Sequence, residues 1–514
     1  MPSKRIRQNS ALVYGVRAVL FSCVICISLC TSAQSPSQDI NSLSSADVLG
    51  MTLSEERHLG NRIARDLYRD PDYLDDPVIA DYLQSIWQPL LTSARQRSEV
   101  SPELDAAFAW QLLQGKDRTI NAFALPGGYF GIHLGLIGAV ATKDELASVL
   151  AHELSHVTQR HIARLISRQS EQTPWLVGAM ILGAMAASKN PGGANAVIVG
   201  GQAVAAQAQL NFSRDMEREA DRVGFGVAGQ AGFAPQGFVS MFEKLQQANR
   251  NNDSGNFPYL RSHPLTTERI ADMKSRIPEV SPAQDVANLE HAIVSARARL
   301  LSNASVDGLR SWYAEAVPAR LEKLSLVQRV ASLYGASLAA VRLREFDKAH
   351  TYAEALKPLV AGQALAVTQW RYLLAETYMA QGKPELALQM VGTASVPTTR
   401  AALLLWASAQ VATGQAGRAA DALQLWVTEH ALDAAAWQQL ALARAAQGRT
   451  VAAVRAEAEV NIAQLDYASA VTRLKAAQDI ARAGGQTTDQ IEASIVDVRL
   501  RQVEQLLREQ AVER

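Results

Sequence analysis

Apolar residues recur every three or four positions along most of this chain, so most of it is expected to be helical. The segment Glu55–Arg69 (EERHLGNRIARDLYR) has the spacing of one buried helix face, and Asp72–Leu91 repeats it. Over Ala106–Leu113 the period falls to two, which predicts a strand. Thr119–Ile137 reads as strand, turn at Pro126-Gly127-Gly128, and strand. Helical spacing returns over Asp144 to about Ser167, Ser213 to about Gln230, and Pro235–Ala248. Between the first two lie the small, apolar runs Trp175–Ala187 and Ala194–Ala208, of 13 and 15 residues. Each is shorter than the ~20 residues that span a bilayer. They predict either a helical hairpin covering one side of the neighbouring helices or a surface in peripheral contact with lipid or an apolar client.

A polar stretch at Asn249–Asn256 and the prolines Pro278 and Pro282 mark a boundary. Beyond Asn288 almost everything is amphipathic helix. Gly382, Gly414 and Gly448 stand 32 and 34 residues apart, and each is followed five positions later by an alanine: Ala387, Ala419 and Ala453. A period near 34 with a small residue at a helix crossing predicts stacked helical hairpins. Phe346-Asp347-Lys348-Ala349 reads as a degenerate earlier copy, and the spacing slips near Ala470. The alternative is a bundle without repeats.

The length of 514 residues requires more than one core. Lys plus Arg and Asp plus Glu balance at 50 each, which argues against a nucleic-acid partner. Lys4, Arg5 and Arg7 precede an apolar run, Ala18–Leu29, and small residues follow at Thr31 and Ala33. That order is expected of a secretory signal cleaved near Ala33, with an uncleaved anchor as the alternative. Cys23, Cys26 and Cys30 all fall inside it. The mature chain would then hold no thiol, so a metal site would have to use His, Asp or Glu.

The chemistry centres on His152-Glu153-Leu154-Ser155-His156. Histidines four apart on a helix share one face and can reach one ion, while the intervening glutamate can take a proton from an activated water. The alternative, two structural surface histidines, fits poorly with the apolar face of Leu146, Val149, Leu150 and Val157. A catalytic zinc needs a third protein ligand. Ile162 stands where one class of zinc proteases places it, and His161, about 140° round a continuous helix from His156, is expected to face away from the ion as a structural residue. Glu217 is the best candidate, with Asp221 one turn on to hold a ligand histidine and Glu219 off that face in solvent.

HELSH, Glu217-x-x-Ala220-Asp221 and the upstream Asn121-Ala122-Phe123-Ala124-Leu125-Pro126-Gly127-Gly128 together resemble the metallopeptidase family of the CAAX prenyl protease and the HtpX membrane protease. Signal, protease and tetratricopeptide-type tail narrow the likeness to periplasmic members concerned with outer-membrane β-barrel assembly. The resemblance covers nearly the whole mature chain, which lacks the long spanning helices of the membrane members. It implies one Zn2+ per chain on His152, His156 and Glu217, with Glu153 as base. It implies that Asn121–Gly128 lies on an edge strand where an extended substrate pairs by its backbone; an ordinary core hairpin is compatible with that. Ser262-His263-Pro264-Leu265 with Arg269 is also similar to a motif of this family. His263 would either stabilise the oxyanion or, as the reading favoured here, take the fourth zinc position and silence the enzyme; the bland alternative is a surface histidine.

The expected architecture is mostly α (α+β): a gluzincin-like metallopeptidase domain with a small sheet over 45–280, after a signal over 1–33, then an all-α tetratricopeptide solenoid over 287–514. The expected activity is zinc endopeptidase action on misassembled outer-membrane proteins in the periplasm, the solenoid binding the β-barrel assembly machinery. The rival is a chaperone or adaptor that works mainly through its repeats.

Overall fold

A computed structural model describes residues 51–168, 213–251, 258–277, 288–393, 395–483 and 490–512. The signal, the three cysteines, the runs within 175–208, most of the polar loop and both boundary prolines lie outside the described residues.

Local chemistry sets where the first elements begin. Helix α1 (Leu53–Tyr68) starts at a capping box, in which the Thr52 side chain accepts from Glu55 N–H and the Glu55 carboxylate accepts from Thr52 N–H. Strand β1 is only Tyr73–Leu74. Helix α2 (Pro77–Gln96) begins later than its apolar spacing suggests, because Asp76 accepts from Ile79 N–H and Pro77 fits the first helical position. It buries Ile79, Leu83, Ile86, Trp87 and Leu90 in the main core. The strand expected over Ala106–Leu113 is displaced: Ser101 caps and Pro102 opens a short helix α3 (Pro102–Ala107), and β2 runs Gln111–Gly115.

The remaining strands are β3 (Ala122–Leu125) and β4 (Tyr129–His133), joined by a tight turn at Pro126–Gly128. The sheet order is β1-β2-β4-β3, with β2 and β4 parallel and the outer pairs antiparallel. Strand β3 is therefore an edge. A short helix α4 (Leu134–Ala139) follows, then α5 (Lys143–Thr158), capped by Thr142. Helix α5 is the axis of the core, buried at every residue from Glu145 to Val157.

The helix expected to run to Ser167 breaks after Thr158. Arg160 adopts φ +51°, and α6 (His161–Arg168) sets off in a new direction. An arginine in this conformation costs about 1–2 kcal/mol. Two contacts hold it: Arg160 Nε donates to Glu56 Oε2 at 3.1 Å and Nη2 to the Met51 carbonyl at 2.7 Å. Helix α7 (Arg214–Gln230) then crosses α5 at Gly224, where a Cβ would come within 3.0 Å of the Ala151 carbonyl. Helices α8 (Gln236–Asn251), α9 (Pro258–Ser262) and α10 (Thr267–Arg276) complete this part.

From α11 (Leu289–Leu301) onward every described element is a helix. Gly382, Gly414 and Gly448 lie at φ +71°, +78° and +74°, each in a turn between helices. In each turn the next N–H bonds to the carbonyl five residues back: Lys383 to Tyr378, Gln415 to Gln410, Arg449 to Arg444. Arg344 and Leu465 repeat this at φ +60° without a glycine, with Glu345 and Asp466 bonded to Ala340 and Asn461. The alanines five positions after these turn residues (Ala349, Ala387, Ala419, Ala453 and Ala470) are all buried.

The helical tail packs on the sheet-bearing part. The Tyr82 hydroxyl lies 2.6 Å from His291 Nδ1, and Val294 and Ala298 join the core of Trp87. Arg297 is buried between Asp76 and Glu376, at 2.8 Å and 2.7 Å. Arg400, which donates to both oxygens of Asp433, also grips both oxygens of Asp75 at 2.8 Å and 2.6 Å.

Candidate metal centre

The helix periodicity of α5 puts His152 and His156 on one face, and α7 brings Glu217 against it. His263 arrives just past α9, its N–H bonded to the Tyr259 carbonyl and its ring stacked on Tyr259 at 4.6 Å. All four side chains are buried, and one ligand atom from each lies within 4.8 Å of the others.

The separations test whether an ion fits. His152 Nε2 lies 3.0 Å from His156 Nε2, 3.3 Å from His263 Nδ1 and 3.4 Å from Glu217 Oε2. Glu217 Oε1 lies 3.4 Å from His156 Nε2 and 3.0 Å from His263 Nδ1. A tetrahedral ion with bonds of about 2.0–2.1 Å has ligand–ligand edges of about 3.3–3.4 Å. Three imidazole nitrogens and the oxygens of one carboxylate stand 3.0–3.4 Å apart in these contacts, and all four side chains are buried, so the residues fit a tetrahedral cation.

Glu153 stands beside this cluster. Its Oε2 accepts from Ala124 N–H at 3.0 Å, while Oε1 lies 3.4 Å from His263 Nε2 and makes no hydrogen bond among the described residues. That spare oxygen is what a proton acceptor at the ion would need. Burial holds the Glu153 carboxyl above the usual range, against the nearby histidines.

Behind the ligands the structure supplies carboxylates. His152 Nδ1 lies 2.9 Å from Asp221 Oδ1. Arg269 Nε and Nη2 clamp Asp221, and Nη1 lies 2.8 Å from Glu217 Oε2 and also donates to the Pro264 carbonyl. Burial opposes charge on His152, yet the bonds to Asp221 and Glu217 outweigh it and push the ring up to about 10. This describes the metal-free protein; a bound cation would take the place of that proton. Burial and the neighbouring His152 charge drive His156 well down. Glu217 is held well below the carboxylate range, because His263 and His152 overcome the cost of burial.

The structure thus brings His152, Glu153, His156, Glu217, Asp221 and His263 to one centre, with Arg269 joining Glu217 and Asp221. It places Ala122–Leu125 at the sheet edge facing Glu153, and Asn121 beside it, accepting from His133 N–H. Asn121, Phe123 and Leu125 therefore turn their backbone groups to β4, and Ala122 and Ala124 turn theirs away from it, where Ala122 is buried and Ala124 N–H meets Glu153. Pro126–Gly128 form the buried turn behind, away from the pairing edge.

His161 is not among the four converging side chains, but it is not remote from them either: its Nδ1 lies 2.9 Å from His156 Nδ1, on the side away from the cluster. Glu219 is half-exposed rather than solvated, with Oε2 at 3.1 Å from His161 Nε2 and 2.8 Å from Arg164 Nη1. An angle of about 140° between His156 and His161 holds only for one continuous helix, and the chain breaks at Arg160.

Residues 80–277 match peptidase family M48. The chain is 30% identical over 467 residues to the β-barrel assembly-enhancing protease of Escherichia coli K12, covering 89% of this chain and 90% of that one. A putative β-barrel assembly-enhancing protease of Vibrio cholerae is 29% identical over 343 residues, 65% and 67% of the two chains. The mitochondrial metalloendopeptidase OMA1 of Saccharomyces cerevisiae is 28% identical over 204 residues, 39% of this chain and 56% of its own. No helix among the described residues is long and apolar enough to cross a membrane.

Proposed function

Given that the chain belongs to peptidase family M48, we propose that it is a periplasmic zinc endopeptidase acting on misassembled outer-membrane β-barrel proteins. The observation that carries this reading is the buried convergence of His152, His156, Glu217 and His263, one ligand atom from each within 4.8 Å of the others. His and carboxylate donors without thiolate suit zinc. When bound, the ion supplies Lewis-acid activation of water and of the scissile carbonyl. Glu153 takes the proton from the attacking water and delivers it to the leaving amine. Asp221 orients His152, and Arg269 balances the charge of Asp221 and Glu217.

Unpaired strands of a misassembled β-barrel suit an edge strand. An extended client pairs by its backbone along Asn121–Gly128, which lays it past Glu153; this requires Glu153 to release the Ala124 N–H from which it accepts. His263 fills the fourth vertex, so the centre is closed until the segment carrying His263 withdraws. We assign 1–33 to a secretory signal, 45–280 to the metallopeptidase domain and 287–514 to tetratricopeptide repeats. The recurring left-handed turns and buried alanines support the repeats. Their role is to dock the β-barrel assembly machinery, with outer-membrane protein action resting on the names of the relatives.

Glu153→Gln tests the reading. The variant should fold and keep its zinc, yet cleave an unfolded outer-membrane β-barrel protein about 10²–10⁴-fold more slowly. Undiminished cleavage by the purified variant would sink the proposal.

A further inference from the structure

The two histidines of HELSH are supported in different ways. His152 is backed directly by a buried carboxylate, Asp221, which Arg269 locks in place. His156 is backed by another imidazole. Its Nδ1 meets His161 Nδ1 at 2.9 Å, and His161 Nε2 meets Glu219 Oε2 at 3.1 Å. The ring planes of His156 and His161 stand at 77°, so this is an edge contact of nitrogen to nitrogen, not a stack.

We propose that His161 and Glu219 form a positioning relay for His156, fixing the tautomer and ring orientation with which it holds the metal. The inference rests on His156 being a ligand. The proton arrangement then follows. His156 offers Nε2 to the ion, so its one proton sits on Nδ1 and is donated to Nδ1 of His161. His161 therefore carries its own proton on Nε2 and donates it to the Glu219 carboxylate. With both rings neutral, this is the distribution that satisfies all three contacts. Glu219 is held in turn by Arg164 Nη1 at 2.8 Å.

The backbone is built for this contact. Five residues along an unbroken helix, His161 would point about 140° away from His156. The left-handed Arg160 turns the chain so that α6 begins with His161 against His156. Glu56 and the Met51 carbonyl secure Arg160, so the ends of α1 and α5 together set the relay. Its outer member, Glu219, is 38% exposed at the side chain, unlike Asp221 at 1%.

The test is zinc affinity of the full chain by chelator competition, with the visible spectrum of the cobalt(II)-loaded protein as a second readout. His161→Phe keeps a ring but no nitrogen and should weaken zinc binding about 10- to 100-fold and alter the cobalt spectrum. His161→Asn places an oxygen where Nδ1 stands and should recover affinity to within a few-fold of the parent. Thermal unfolding of the chelated proteins reports folding separately. If Phe and Asn variants both bind zinc like the parent, or lose it equally, the relay is overturned. Glu217→Ala and His156→Ala serve as the parallel check. If these also bind zinc normally, it is the metal-site reading itself that fails.

Discussion

Arg269 holds Asp221 by two parallel bonds, Nε to Oδ2 at 2.6 Å and Nη2 to Oδ1 at 2.7 Å, in a site where both side chains are buried. Through Nη1 the same guanidinium reaches Glu217 and the Pro264 carbonyl, so one residue ties the ligand helix to the segment that delivers His263.

Replacing Arg269 by Met should therefore be among the most damaging changes near the centre. Two buried carboxylates would lose their counter-charge, a loss of about 3–5 kcal/mol. Denaturant unfolding of the chelated protein measures this. Arg269→Lys should recover part of it at most, because a point charge cannot make the two-bond contact. Equal stability of all three proteins would show that the clamp is idle.

His263 distinguishes two mechanisms. As the fourth vertex it excludes water from the ion, so His263→Ala should raise peptidase activity above the parent. As an oxyanion donor its loss should lower kcat by about 10²–10³-fold. Steady-state cleavage of an unfolded β-barrel protein separates the two by sign.

Metal binding should release protons. Without metal, His152 is pushed up to about 10, from an ordinary 6.5, by Asp221 and Glu217 against the cost of burial. Its raised value means that its contribution to folding of the metal-free protein is complete below about pH 6.5. That contribution is lost as pH rises through about 10. Metal requires the neutral ring, so binding expels this proton at any pH below about 10, and affinity should rise about tenfold per pH unit across 7–9. Calorimetry in buffers of different ionisation heat counts the proton. A count of zero at pH 8 contradicts the charged His152.

What was readable in the sequence was local. His152 and His156 share a face because they are one turn apart, and Glu217 and Asp221 repeat that spacing on α7. The glycines Gly382, Gly414 and Gly448 announce their turns because no other residue takes a left-handed backbone so cheaply. Arg344 and Leu465 take it too without a glycine, so the first turn showed only through the degenerate copy at 346–349 and the second only as a slip in spacing near Ala470.

What only the tertiary structure decided was pairing between distant segments. Periodicity could not say that Asp221 lies against His152 while His161 lies against His156. That depends on a break at Arg160, which a glutamate more than a hundred residues earlier stabilises. Nor could it place His263 beside His152 and Glu217 or Ala124 against Glu153, since those contacts join segments with no common spacing. HELSH specifies which atoms can hold an ion; the crossing of α5 and α7 and the position of β3 at the sheet edge decide what else stands around it.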